Sequence, residues 1–273
     1  IIFVSALVNL LYYLGAIGFV VKWLGKAVGK LMGTTEVESF VAVANMFLGQ
    51  TSSPVLVSKY IRNLTDSEIF VILVSGMGSM EVSILAGYHA CGIPMEYLLI
   101  ASVLVPVGSI LVSKMILPQS GETKSITDVK MDNKGNNSNM IDAIAEGAAT
   151  GMQMVISIGA SLVAIIGLVA LINMVLGIAG ISLEQIFSYI FAPFGFLLGL
   201  EGKDALLEGA LLGQKMIMNE FVAFGNLGEV IKSLDTRTAM VASISLAGFA
   251  NVSSLGICVS GIARRKRARC QGW

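Results

Sequence analysis

Residues 43–55 read VANMFLGQTSSPV. The stretch is apolar at both ends and broken in the middle, where Gly49, Gln50, Thr51, Ser52 and Ser53 run into Pro54. Proline has no backbone N–H to give to a helix, and a Gly-to-Pro run of this kind reads as a turn. The apolar pieces on either side, within 36–58, are each too short to cross a bilayer, which takes about 20 residues. Two half-length pieces around a turn describe a re-entrant hairpin. Unwound backbone at membrane depth is tolerated only where protein buries it or where it lines a cavity.

Working outward, the same character appears elsewhere. Residues 1–21 form an apolar run long enough to span, followed by Lys22, Lys26 and Lys30 at a spacing that lines them on one face of an interfacial helix. Residues 69–90 read as a span containing Glu81, and 97–113 as another ending at Lys114. Residues 118–139 are polar and extramembrane. A long apolar run covers 152–182, and a shorter one, 185–200, carries Pro193 and Gly195. Residues 205–231 are broken again, with Asn219 and Glu220 among apolar neighbours. A last span, 239–263, is interrupted by Gly248, Asn251, Ser253, Ser254 and Gly256. A broken hairpin followed by a span with polar residues at its centre thus occurs twice, at 36–90 and 205–263. Paired broken elements of this kind mark an inverted-repeat transporter. The fold class expected is all-α: a polytopic membrane protein with inverted repeats, two re-entrant helical hairpins and broken transmembrane helices.

The composition agrees. Of 273 residues, 55% are hydrophobic and 13% charged, with mean hydropathy +0.81. A soluble domain carries about 25% charged residues, and so large an apolar excess must face lipid. Eighteen basic and eighteen acidic residues balance to zero, which gives no basis for a nucleic-acid partner. The basic cluster Arg264, Arg265, Lys266, Arg267 and Arg269 reads as a cytoplasmic flank. Cys91, Cys258 and Cys270 match no zinc or redox spacing. The chain opens inside an apolar run without a Met, so further sequence is expected before residue 1.

The polar residues inside apolar segments are Asn45, Gln50, Thr51, Glu81, Glu220, Asn251 and Ser254. A carboxylate at the bilayer centre costs at least about 2.5 kcal/mol, so one that faces lipid unpaired is not expected. Together these groups donate and accept as a polyhydroxylated, base-bearing solute requires. Glu220 accepts two hydroxyl protons, Asn251 donates and accepts at once, and Gln50 and Thr51 suit a heterocycle edge. Plainer roles exist for some polar groups: Ser79 and Ser83 can bond back to their own helix, Asn45 can join two helices, and His89 sits near a span end. An enzyme would want a Ser–His pair, an Asp pair or a metal constellation, and none is visible, nor is a Walker motif.

Five stretches carry a family resemblance: LeuTyrTyrLeuGly at 11–15, Glu38-Ser39, Gly49-Gln50-Thr51 with Pro54, Asn219-Glu220-Phe221-Val222-Ala223-Phe224, and Gly248-Phe249-Ala250-Asn251-Val252-Ser253-Ser254-Leu255-Gly256. With them the sequence resembles the concentrative nucleoside transporters, in order and spacing over nearly the whole chain. The resemblance implies a homotrimer in a cell membrane (plasma or bacterial inner), each copy with a scaffold and a mobile transport domain, working as a nucleoside symporter coupled to Na+ or H+ without other cofactor. It implies that substrate meets Gly49, Gln50, Thr51, Ser52, Ile84, Glu220, Phe249, Asn251 and Ser254. The coupling cation would lie near Asn45, Leu48, Ser79 and Met80. It also divides the chain: scaffold span and interfacial helix at 1–35, first hairpin and transport-domain spans at 36–117, polar connector at 118–147, scaffold span and connecting helix at 148–200, second hairpin and broken span at 201–263, and a basic tail at 264–273.

Two departures stand out. The family commonly reads Gly-Gln-Thr-Glu where this chain has Ser52, which removes a base-recognising carboxylate. Glu81 stands where the family usually has a small residue, and it is expected to be a proton site. The family also extends beyond both ends of the sequence, and the tail after Ala263 resembles no membrane segment. A fragment that binds or assembles without transporting is therefore the first alternative, and a membrane enzyme the second.

Overall fold

A computed structural model of the chain describes residues 1–56, 64–119, 137–251 and 254–255, with the backbone alone for 50–56. Among the described residues there are eleven α-helices and no strand. The first two are α1 (Ile2–Tyr13) and α2 (Ala16–Met32). Hydropathy runs them together as 1–21, but Gly15, at φ 80°, turns α2 away by 78°. Lys22, Lys26 and Lys30 are exposed on α2 while Val21 and Gly25 are buried, the one-sided arrangement that their spacing predicts.

α3 (Glu36–Leu56) is kinked at Gly49, whose φ of 69° and ψ of 175° end the helical path. A left-handed φ is open to glycine at no steric cost. α4 (Asp66–Gly78) starts at a capping box between Thr65 and Glu68. It stops where Ser79 turns extended, and after Glu81, also extended, the chain resumes as α5 (Val82–Ala90). The run 69–90 is therefore interrupted at Ser79–Glu81, within a stretch, Asp66–Ala90, that is long and apolar enough to cross a membrane. α6 (Met95–Ile116) keeps its course through Pro106. α7 (Met140–Leu176) is capped by Asn139 and continues through a short 3-10 turn, Gly177–Ala179.

α8 (Leu183–Leu197) begins at a Ser182–Gln185 capping box and is followed, at a bend of 115°, by α9 (Gly202–Ile217). α10 (Glu220–Val230) follows after Met218 and Asn219, and α11 (Thr236–Leu246) follows a second 3-10 turn, Ile231–Ser233. Among the described residues, three helical stretches are long and apolar enough to cross a membrane, or up to five if each bent pair is one span.

Small residues allow the close crossings, as in membrane helix pairs generally. A methyl at Gly147 would lie 2.8 Å from the Ala6 Cα, so α7 meets α1 there backbone to backbone; at Gly209 it would lie 2.6 Å from the Ser188 carbonyl, which brings α9 against α8. A close crossing that joins the two halves of the chain is at Gly248, just past α11. Its φ is 98°, and a methyl there would sit 2.3 Å from the carbonyl oxygen of Gly78 at the end of α4. The ends of two interrupted helices thus touch without a side chain between them.

At the opposite end of α4 lies a polar knot. Glu38 of α3 and Glu68 of α4 are both buried, and Thr35 joins them: its N–H donates to Glu38 (3.1 Å) and its hydroxyl to Glu68 (3.0 Å). Lys114 of α6 pairs with Glu38 and donates to the Ser67 hydroxyl at 3.0 Å. Much of the remaining surface is apolar. Ile178 and Leu197 are 89% and 83% exposed, and the most apolar part of α7 buries nothing within the chain. That surface requires lipid or another protein.

Candidate functional site

The site assembles where α10 starts. Asn219, in extended conformation, caps the helix by accepting the Val222 N–H at 2.9 Å. The cap fixes Glu220 at the first helical position, near the positive end of the helix. Glu220 is only 4% exposed, and both its oxygens are engaged. Oε1 accepts the Tyr88 hydroxyl at 3.3 Å and Oε2 accepts the Asn251 amide at 3.2 Å. Asn251 in turn accepts the Ser254 N–H at 2.8 Å, so the residue that binds Glu220 also starts the helical turn beyond the break in α11. Glu220, Asn251 and Ser254 are therefore joined by hydrogen bonds. Phe249 is half-buried against the core cluster that holds Met80, Ile84 and Tyr88.

Tyr88 is not singled out by the sequence. It is completely buried, stacked at 4.7 Å on Phe221 and 4.4 Å on Phe224. Nothing in an apolar run marks one tyrosine as the partner of a carboxylate 132 residues away. The lone His89 is exposed at the end of α5, 2.8 Å from the Ile93 carbonyl, and takes no part in the site.

A second group of residues lies at the kink in α3. Glu81 approaches Gly49 so closely that a methyl on Gly49 would lie 3.0 Å from its Oε2, while its Oε1 accepts the Ser83 hydroxyl at 2.6 Å. Ser83 thus serves Glu81 rather than its own helix, whereas Ser79 does bond back, to the Gly76 carbonyl at 3.2 Å. Asn45 is buried and donates to the Ser75 hydroxyl at 2.9 Å. Leu48 is half-buried beside the kink and Met80 is buried within the break between α4 and α5. The side chains of Gln50, Thr51 and Ser52 lie outside the described residues, as do Val252, Ser253 and the tail.

A carboxylate with two lone pairs in use offers about two more to hydroxyls. Held at a helix start and beside an amide that both donates and accepts, it suits a vicinal diol. The comparisons with known proteins bear on which diol. Residues 97–270 match the model of the Na+ dependent nucleoside transporter C-terminus, and residues 1–95 match a nucleoside recognition model. The chain is 40% identical to an uncharacterized transporter, YutK, of Bacillus subtilis over 98% of its own length and 69% of that protein's.

The chain belongs to the concentrative nucleoside transporter family. It is also 36% identical to the nucleoside permease NupC of Helicobacter pylori, covering 96% of this chain and 65% of that one. A solved structure of CNTnw in an inward-facing substrate-bound state superposes with a TM-score of 0.90 at 36% identity, over 98% of this chain and 66% of that chain. The chain thus spans about two thirds of the length of these relatives. This family member is a multi-pass membrane protein, and since its relatives are transporters and permeases, the membrane-enzyme alternative falls away.

Proposed function

We propose that the chain forms the solute-binding part of a nucleoside symporter driven by a Na+ or H+ gradient. The observation that carries this reading is the buried Glu220 carboxylate, bound by Asn251 at the break of α11. In this reading the ribose diol donates hydrogen bonds to Glu220 and shares others with Asn251 and Ser254, with Phe249 and Ile84 against its apolar faces. Gln50, Thr51 and Ser52 read the base, and Gly49 lets the backbone turn there. The kink at Gly49 and the break at Met218–Asn219 are the tips of two re-entrant hairpins, and the interrupted helices 66–90 and 236–255 are their partners in an inverted repeat. Asn45, Leu48, Ser79 and Met80 hold the coupling cation near the first tip. A cation bound there would order the first hairpin, so cation and nucleoside favour each other's binding. Alternating access moves residues 36–117 and 201–263 against the rest. Three copies form the assembly in a plasma or bacterial inner membrane.

The test is equilibrium binding of uridine, inosine and guanosine to the purified protein, with and without Na+, at two pH values. Saturable binding that Glu220→Ala abolishes is the expected result. A folded protein that binds none of them leaves the reading without support. Glu81, beside Gly49, is proposed to link binding to protons, and Glu81→Gln should then bind with no dependence on pH. A pH profile like that of the unaltered protein would end that part of the proposal.

A further inference from the structure

The two carbonyls that close α11 are held by a charge. Lys215 of α9 donates from Nζ to the Ser245 carbonyl at 2.9 Å and to the Ala247 carbonyl at 3.0 Å, and is only 6% exposed. Two turns earlier on the same helix is Glu208, which is 1% exposed. Its Oε1 accepts the Ser245 hydroxyl, and its Oε2 has no hydrogen-bond partner among the described residues. One ammonium and one carboxylate from α9 therefore grip residues 245–247, immediately before Gly248 takes its left-handed turn and the chain runs on to Phe249, Asn251 and Ser254.

The last carbonyls of a helix lack intrahelical N–H partners and carry the negative end of its dipole. In water they would be solvated; buried, they need a donor, and a cation is the strongest one. Buried charges are a poor way to gain stability, since apolar side chains of similar volume generally serve as well or better. What Lys215 and Glu208 supply through residues 245–247 is a defined shape. A methionine in place of Lys215 would fill the space yet leave both carbonyls free to turn, and the direction of Asn251 with them.

We propose that Lys215 is a positioning residue whose ammonium acts as a tethered cation, fixing the break of α11 so that Asn251 and Ser254 face the solute. Its effect on nucleoside affinity rests on the function proposed above; the cation seat itself does not. Truncating the side chain should leave a vacancy, lined by the carbonyls of Ser245 and Ala247 and by Glu208, that a small ammonium ion can fill.

The experiment compares Lys215→Ala with the unaltered protein in methylammonium chloride and in choline chloride, at constant Na+. Methylammonium at ten times its Kd should raise the melting temperature of the variant by about 3 °C and leave the unaltered protein unmoved. Choline, too large for the seat, should do nothing. Nucleoside affinity should fall about tenfold in the variant, as for loss of charge-assisted hydrogen bonds, and recover in methylammonium. A variant that binds as tightly as the unaltered protein overturns the proposal, and so does a weakened one that methylammonium neither stabilises nor restores. If Lys215→Ala folds only in methylammonium, the seat is supported directly. If it does not fold at all, the paired change Glu208→Leu with Lys215→Met, which removes both charges, should fold and still bind about tenfold more weakly; unaltered affinity there sinks the idea. Should the unaltered protein bind no nucleoside, the melting comparison still decides whether the seat exists.

Discussion

Tyr88 and Asn251 hold the two oxygens of the Glu220 carboxylate and set its orientation. Tyr88→Phe removes one hydrogen bond and leaves the ring stacked between Phe221 and Phe224. Such a bond contributes about 1 kcal/mol, so nucleoside affinity should weaken roughly fivefold with the melting temperature nearly unchanged; a titration of the variant reads both. Gly248 and Gly78 touch each other but differ in what they tolerate. A methyl on Gly78 meets only the Val105 side chain, at 3.4 Å, whereas one on Gly248 collides with a carbonyl and must also adopt φ 98°. Backbone strain of that kind costs about 1–3 kcal/mol before any clash is counted. Gly78→Ala should therefore express and melt like the unaltered protein, and Gly248→Ala should yield little folded material.

Among the helices, the polar knot at the starts of α3 and α4 and the end of α6 offers a separate measurement. Removing one partner of a buried pair costs about 3–5 kcal/mol, because the other charge is left stranded. Lys114 is partly exposed, so Lys114→Met should fall at or below the lower end of that range, and adding Glu38→Gln should recover part of the loss. A double-mutant cycle by thermal melting measures that recovery. These helices also mark how far the sequence could be read. The breaks at Gly49, at 218–219 and at 248–251 are legible because Gly, Pro or buried polar residues stand at or beside each. The break at 79–81 is not, since Ser79, Met80 and Glu81 carry no backbone signal. The close approach of Gly248 to Gly78, which belongs to tertiary packing, falls at that break. Gly15 gives no sign for a related reason: a glycine inside an apolar run is tolerated in a spanning helix, and only the 78° turn shows it acting as a break. Glu220, Asn251 and Ser254 could be named from the cost of burying them. Lys215, buried in the same apolar surroundings, escaped because its partners are backbone carbonyls, which no residue type announces.

Taken whole, the molecule shows surface that one copy cannot bury. The stretch Met140–Ala179 covers 40 residues, or about 60 Å at 1.5 Å per residue, against a hydrocarbon core of about 30 Å. It therefore lies steeply tilted or projects beyond the lipid, and its apolar faces need cover from lipid or protein. The trimer proposed above predicts a native mass of three chains after detergent is subtracted, and a monomer in mild detergent would count against it. The contact of Gly248 with Gly78 has a mechanical meaning at this scale. Side chains in contact absorb small displacements by changing rotamer, so part of any push is lost. Two backbones pressed together have no such play. A shift at the end of α4 passes undiminished to the segment that carries Asn251, which makes this crossing a pivot without slack between the two halves of the chain.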